Sequence, residues 1–455
     1  MDADIAGVAF FIAREGISKF IRWIMLCISP QPESDNCESS GWADLPSDLL
    51  GRILQLLELP EALAVAAVCS SWCSAAAAAG VPRSGTPWLV SWNMTCVEPI
   101  QYGPPLHHKD NTRSTCPGIE FRNLLSADKT YRVNLLEGRR RHLHWCGASH
   151  GWLIAADELS NLVLCDPFTF DMIPLPPITD LGCVKGVYDA EGGIVGYRYG
   201  KDHQGFNPAT EILGQWFYQK VVLSCDPSSS SSHGGDYRAI VIHYDADRVS
   251  FARAREGRWR LAAALSKGER YADCVYHDGR LFTVTLCGMI EMWGLNAPHE
   301  PTKQVIIADG DKKCGRVLTR FLVSTPSGSL LQIRILRTRR QACCPVKIEV
   351  EMLEVHVEEG KLVGLSSSTA LREHAVFVGL NHSACLPTKE FPKLRPNCVY
   401  FTTPFLVNHD NFGLRALPGV FIYNLENQTF EDVPPSFGFS YGEYRPSAIW
   451  YIPRI

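Results

Sequence analysis

Residues 151–177 read GWLIAADELSNLVLCDPFTFDMIPLPP. Gly151 to Ala155 is a short apolar run, Asp157-Glu158 interrupts it, Leu162 to Cys165 resumes it, and Asp166-Pro167 turns the chain again before a Pro-Pro exit. Short β-branched and aromatic runs separated by Gly, Asp, Asn and Pro predict strands joined by tight turns, which makes this stretch a meander. The same unit returns elsewhere. Leu281 to Thr285 lies between an Asp278-Gly279 turn and a Cys287-Gly288 turn, and Met289 to Trp293 comes back as its partner. LVLCDPFTFDMIPLPP from Leu162 and VFIYNLENQTFEDVPP from Val420 share one plan: strand, Asp or Asn turn, strand, Pro-Pro.

Units of this kind extend from Trp88 to Ile455, with scarcely any 3.6-residue periodicity. Radial repetition of strand-turn-strand units hides sheet edges from open pairing, so the sequence predicts a mainly β fold with a single β-propeller over residues 88–455. At about 45 to 50 residues per blade, the length predicts six to eight blades.

The chain before residue 88 has a different texture. Trp42 to Ala76 reads WADLPSDLLGRILQLLELPEALAVAAVCSSWCSAA. Asp44 is a candidate helix N-cap and Pro46 fits a first turn. Leu49, Leu50, Ile53, Leu54, Leu56 and Leu57 draw an apolar stripe too wide for one neighbouring helix to cover. Pro60 opens a second short run through Leu63, Val65 and Ala67. A third covers Val68 to Ala79 until Gly80 and Pro82 stop it. Three short helices in about 40 residues bury little, so the bundle is expected to gain stability by packing on something else.

Composition limits the function. At 455 residues, 46% hydrophobic and 20% charged, the chain is long enough for two or three ordinary globular domains. A net charge of −4 gives no electrostatic reason to expect nucleic acid as a main ligand. The 17 cysteines are odd in number and form no C-x-x-C pair, which fits a reducing compartment, nucleus or cytoplasm. Residues 1–40 form an apolar extension, but Arg14, Glu15, Lys19 and Arg22 interrupt its run, so membrane association is not expected. Residues 41–80 hold the helices and 81–87 a linker.

The motifs suggestive of chemistry fail on inspection. Gly310 and Gly315 have phosphate-loop spacing, but Arg316-Val317 follows where Lys and Ser or Thr are required. His142, His144 and His150 lie near Cys146 without the spacing of a zinc site. Arg139 to Arg141 and Arg337, Arg339 and Arg340 read as solvated strand ends, and Ser228 to Ser232 as a surface connection. The tryptophans Trp152, Trp216, Trp259, Trp293 and Trp450 read as blade core. No catalytic residue, metal site or cofactor is expected.

Leu45-Pro46, Asp48-Leu49-Leu50, Ile53-Leu54 and Val68-Cys69 followed by Trp72 resemble the F-box family over Trp42 to about Ala79. The resemblance implies docking on the Skp-type adaptor, and through it the cullin, of an SCF ubiquitin ligase. Leu45, Pro46, Leu49, Leu50, Ile53, Leu54, Leu57, Val68, Cys69 and Trp72 would lie at or beneath the contact. Many members carry a basic residue where this chain has Cys73. The rest resembles the KIB-type β-propeller domain of plant F-box proteins. The matching motifs include Pro87-Trp88-Leu89-Val90, Ser149-His150-Gly151-Trp152-Leu153, Gln219 to Ser224, Tyr271 to Leu286, Val376 to Asn381, Asn397 to Thr402 and Pro446 to Pro453. This resemblance implies a non-catalytic substrate receptor of plant origin, with an unknown protein target on the propeller. The competing expectations are a ligase-independent scaffold or competitor and, more remotely, a propeller hydrolase with carboxylates converging on its channel.

Overall fold

The computed structural model describes residues 45–57, 65, 68–78, 87–92, 119–123, 130–133, 143–167, 171–207, 209–228, 236–295 apart from 245, 255 and 267, 301–308, 316–338, 347–366, 371–391, 394–402, 420–433 and 448–453. The chain divides into two compact units, Met1–Thr86 with Pro453–Ile455, and Pro87–Ile452. The N-terminal extension, Asp44, most of the second helical run, the linker, His142, Arg139 to Arg141, Gly310 to Gly315 and Ser229 to Ser232 lie outside the described residues.

In the first unit, α1 spans Ser47–Leu56 and α2 spans Ser70–Ala78. Pro46 is not in the first turn, as its residue type had suggested, but one position before it. Its backbone is extended (φ −53°, ψ 139°) and its carbonyl accepts from Leu50 N–H at 3.0 Å. The ring of Pro46 disfavours helical backbone at Leu45, so the helix starts after the proline. Asp48 in the first turn complements the helix dipole. At the other end Leu57 turns extended (ψ 145°).

The second unit is built from strands. The first sheet contains β1 (Trp88–Trp92), β2 (Ile119–Asn123) and β3 (Thr130–Val133); the second contains β4 (His144–Ser149), β5 (Trp152–Ala156), β6 (Leu162–Cys165) and β7 (Met172–Pro174). A three-stranded sheet follows, β8 (Val184–Tyr188), β9 (Ile194–Tyr199) and β10 (Gly205–Asn207), and then helix α3 (Thr210–Trp216). Three further antiparallel four-stranded sheets come next. They are β11 (Tyr218–Leu223) with β12 (Arg238–His243), β13 (Arg248–Arg253) and β14 (Arg260–Ala264); β15 (Tyr271–His277) with β16 (Arg280–Thr285), β17 (Ile290–Gly294) and β18 (Thr302–Ile307); and β19 (Val317–Ser324) with β20 (Leu330–Thr338), β21 (Lys347–His356) and β22 (Lys361–Gly364). The last sheet has five strands in the order β24 (Ala384–Pro387), β23 (His374–Val378), β25 (Cys398–Thr402), β26 (Val420–Asn424), β27 (Thr429–Val433). Finally β28 (Ala448–Tyr451) returns to pair with β1, Trp88 opposite Tyr451.

Two-residue turns set the hairpins. Asp278 and Gly279 (φ 45° and 69°) join β15 to β16, and His150 and Gly151 (φ 49° and 74°) join β4 to β5. Positive φ at both central positions matches the twist of the flanking strands. Burial decreases from first strand to last within a sheet. Every residue of β4, β5 and β6 is buried, whereas β7, β14, β18 and β22 are largely exposed or half-exposed. Strands buried on both faces read as continuous apolar runs, as LVLC does.

Consecutive sheets bury their faces against one another. Trp88, Phe121 and Tyr451 share a core with Trp145, Leu153 and Val163; Val222, Ile240 and Phe251 share one with Cys274, Leu281 and Trp293. Val275, Phe282 and Val284 meet Leu322 and Leu330; Phe321, Ile333 and Val350 meet Val376, Val399 and Phe421. The ring closes where Phe377, Tyr400 and Ile422 pack on Leu89 and Trp450. Among the described residues six sheets form the ring, which makes the protein a mainly β propeller at the lower end of the expected blade range. The sheet β8–β10 is not a blade. Ser149 of β4 accepts directly from Leu223 N–H of β11 at 3.0 Å, so sheets two and three are neighbours, and Val184, Tyr197 and Leu213 of the insertion join the core those sheets share.

Candidate functional site

Two places in the chain concentrate the residues singled out by their chemistry. The first is the helical unit. Leu50, Leu54, Val65, Trp72, Ala75 and Ala76 form its core, with Leu45, Leu57, Val68 and Cys69 packed partly buried against it. Leu50 (1% exposed), Ile53 (4%), Leu54 (4%) and Trp72 (2%) are therefore buried, whereas Leu45, Leu49, Leu57, Val68 and Cys69 are half-buried and Pro46 is exposed. The apolar stripe of α1 thus divides into an inner row and an outer row. The outer row leaves apolar surface in water, which an added partner could cover at about 25 cal/mol per Å². The side chain of Cys73, on α2, lies outside the described residues.

The second is the propeller axis. The segment Gly379 to Ser383, between β23 and β24, touches the first strands of three other sheets and reaches a fourth through Asp273. Asn381 bridges Ala148 of β4, and His382 N–H donates to Ala148 carbonyl at 2.6 Å. Lys220 of β11 donates from Nζ to Gly379 carbonyl at 2.7 Å and sits 2.7 Å from Asp273 Oδ1 of β15. Asp273 Oδ2 accepts from Leu322 N–H of β19 at 2.9 Å and from Ser383 Oγ at 3.4 Å. Gly379 (φ 153°) is obligatory, since a Cβ there would lie 2.1 Å from Thr402 Oγ1.

Both charges of this pair are out of water, Lys220 at 3% and Asp273 at 0% exposed. Burial pushes the Asp273 carboxyl up, and Lys220 together with the N–H groups of Leu322 and Cys274 pulls it back. His382 lies beside His150 (ring centroids 5.0 Å) and its Nδ1 is 3.3 Å from Ser149 Oγ. Burial, then His150 and Lys220, hold His382 well below the ordinary imidazole range, so it is neutral at pH 7. Among the described residues the carboxylate brought to this knot is Asp273, and its oxygens are committed to Lys220, Leu322 and Ser383. The arrangement fastens five sheets together; it does not present a reactive pair to solvent.

Other residues of interest fall within the sheets. Trp152 Nε1 donates to Asp226 at 3.0 Å, Trp259 Nε1 to Pro176 carbonyl at 2.8 Å and Trp293 Nε1 to Thr283 at 3.2 Å, while Trp450 is fully buried and Trp216 half-buried. Cys146 is buried and its thiol donates to His144 carbonyl at 3.1 Å. Sequence reading missed Lys220 and Asp273. The available signal was a lysine inside QKVVLS and an aspartate inside YADCVY, charges set in runs that otherwise read as buried strand.

Comparisons with known proteins agree with this architecture. A family model described as KIB1-4 beta-propeller matches residues 121–424, and one described as F-box-like matches residues 42–79. In Arabidopsis thaliana, F-box protein At1g10110 is 21% identical over 382 residues, covering 81% of this chain and 86% of that one. F-box protein KIB4 is 20% identical over 432 residues, covering 92% and 97%. A shorter match, 32% identical over 153 residues, links 33% of this chain to 35% of a protein named as F-box protein At4g22660, so the chain spans about a third of that relative.

Proposed function

The chain belongs to the KIB1-4 β-propeller family and carries an F-box-like module before its propeller, and from that premise we propose that it is the substrate-recognition subunit of a Skp-cullin-F-box ubiquitin ligase. In this reading the protein itself is not a catalyst. The outer row of the helical module, Leu45, Pro46, Leu49, Leu57, Val68 and Cys69, docks on a Skp-type adaptor that holds the cullin. Leu50, Ile53, Leu54 and Trp72 keep that row in place from beneath. The propeller holds a target protein, and other subunits transfer ubiquitin to it, in the nucleus or cytoplasm.

The observation that carries the proposal is the half-buried apolar row on a helical unit whose core, among the described residues, is small. So small a core is marginal alone and is stabilised by a partner that covers the row. Co-purification of the full-length protein with a plant Skp-type adaptor and cullin tests it. Leu49→Ala is the sharper probe, because Leu49 is half-buried whereas Ile53 is 4% exposed and Ile53→Ala also removes buried volume. Capture by wild type and loss with Leu49→Ala, at unchanged helix content, supports docking. Equal capture by both removes Leu49 from the contact, and no capture by either moves the protein to ligase-independent binding.

A further inference from the structure

The inserted sheet β8–β10 carries an arrangement that its own folding does not explain. Lys185, Arg198 and Phe206 lie in one cross-strand row, Lys185 opposite Arg198 and Arg198 opposite Phe206. Val184, Tyr197 and Tyr199, which alternate with them, face the core shared with sheets two and three. The row therefore looks outward. All three residues are exposed, Phe206 at 53%, and the Arg198 guanidinium carbon is 5.7 Å from the Phe206 ring centroid.

Like charges placed directly opposite on antiparallel strands destabilise the pair. Among the described residues neither cation is paired with an acid, and this in a chain of net charge −4. The cation–π contact of Arg198 with Phe206 offsets part of that cost but leaves the ring 53% exposed. The insertion is not itself a member of the ring, because β4 and β11 meet directly, although its inner face packs on the core they share. The outward row is thus a surface whose two cations an acidic partner would neutralise and whose ring it would cover.

We propose that this row docks an acidic, extended segment of a partner protein, which carries a carboxylate that bridges Lys185 and Arg198 and an apolar side chain that covers Phe206. Opposite Cβ atoms in such a row stand about 5 Å apart, within reach of one carboxylate's two oxygens. The acidic hairpin tip, Asp189 and Glu191, is about 10 Å further along the strands and sets which end of the sheet the partner's acids occupy. The inference rests on the receptor reading for the partner's role as target, and it supplies that target's chemistry.

The test uses the full-length protein co-expressed with a Skp-type adaptor. A fluorescein-labelled peptide of alternating Glu and Leu, and its Lys-for-Glu counterpart, are titrated by fluorescence anisotropy. Wild type binds the acidic peptide. Lys185→Glu with Arg198→Glu weakens that binding by about tenfold or more and gains the basic peptide, Phe206→Ala weakens it severalfold, and Arg258→Glu, an exposed cation between β13 and β14, leaves it unchanged. Failure of wild type to bind the acidic peptide, or indifference to the double reversal, overturns the inference. So does tighter, reversal-sensitive binding to phosphatidylserine vesicles, or a reversal-sensitive dimer in light scattering. Adaptor capture is scored on the same samples. Capture without peptide binding sinks this surface and leaves the receptor reading standing, whereas peptide binding without capture does the opposite.

Discussion

Among the described residues the helical unit has one small core cluster, whereas the propeller distributes its apolar residues over successive inter-sheet cores that return to their starting point. In the ring each sheet has two neighbours, so losing one contact strains the rest, and stability is shared. In the helices there is no such redundancy, and one lost leucine removes a large part of what holds α1 to α2. A unit with so little buried surface depends more on what covers it than a ring whose sheets brace one another.

That contrast can be broken most severely at the axis. Lys220→Met leaves Asp273 buried beside Leu322 and Ser383 without its cation, and should cost about 3 to 5 kcal/mol, read as a fall in the propeller's thermal midpoint. Adding Asp273→Leu should recover most of that loss, which separates an unpaired charge from lost packing. Next in size, Leu50→Ala should cost about 2 to 5 kcal/mol within the helical unit alone. Amide exchange over residues 47–56 should accelerate while β11 and β15 remain protected; loss of protection in both would show the two units to be one cooperative body.

A smaller effect is tied to pH. His243 is buried against Phe217, 2.8 Å from Ser250 Oγ, and burial followed by Arg248 lowers its pKa to about 3. The unfolded chain, with an ordinary imidazole near 6.5, binds the proton first, so stability is lost as pH falls through 6.5 and continues to fall towards 3. Between pH 7 and 5 the propeller should lose about 2 kcal/mol through this group. Residues 42–79 contain no histidine, so the helical unit lacks this slope. Denaturant melts of wild type and His243→Asn across that window check it: equal slopes would refute the assignment. Smallest of all, Lys389→Ala breaks an ion pair with Glu373 whose side chains are 77% and 61% exposed, and should leave the thermal midpoint unchanged.

Much of the ring could be read from local pattern. LVLC and VFIY occupy equivalent places, each the strand before the outermost one of its sheet, which is why their sequences align. Asp278-Gly279 turns where its residue types require, whereas Gly151, read as the start of a strand, belongs with His150 to the turn before it. The blade count could not be fixed, because length alone does not distinguish the inserted sheet β8–β10 from a blade. Nor could β24: ACLP has neither alternation nor a run of β-branched residues, and its place is decided by Asn381, Lys220 and Ser383, contacts from distant parts of the chain. In the helices the stripe was legible, but which leucines face inward depends on how α1 meets α2.

The pairing of β28 with β1 also sets an order of events during synthesis. Trp92 and Ala448 are separated by roughly 356 residues, so at about 5 to 20 residues per second the ribosome needs roughly 20 to 70 s between the two edges of the closing sheet. For most of that interval the helical module is outside the exit tunnel and β1 is still waiting for its inner strand. On the proposed receptor reading a nascent chain meets an adaptor well before its ring is closed, and any transcript that stops short of Ala448 lacks the strand that pairs with β1.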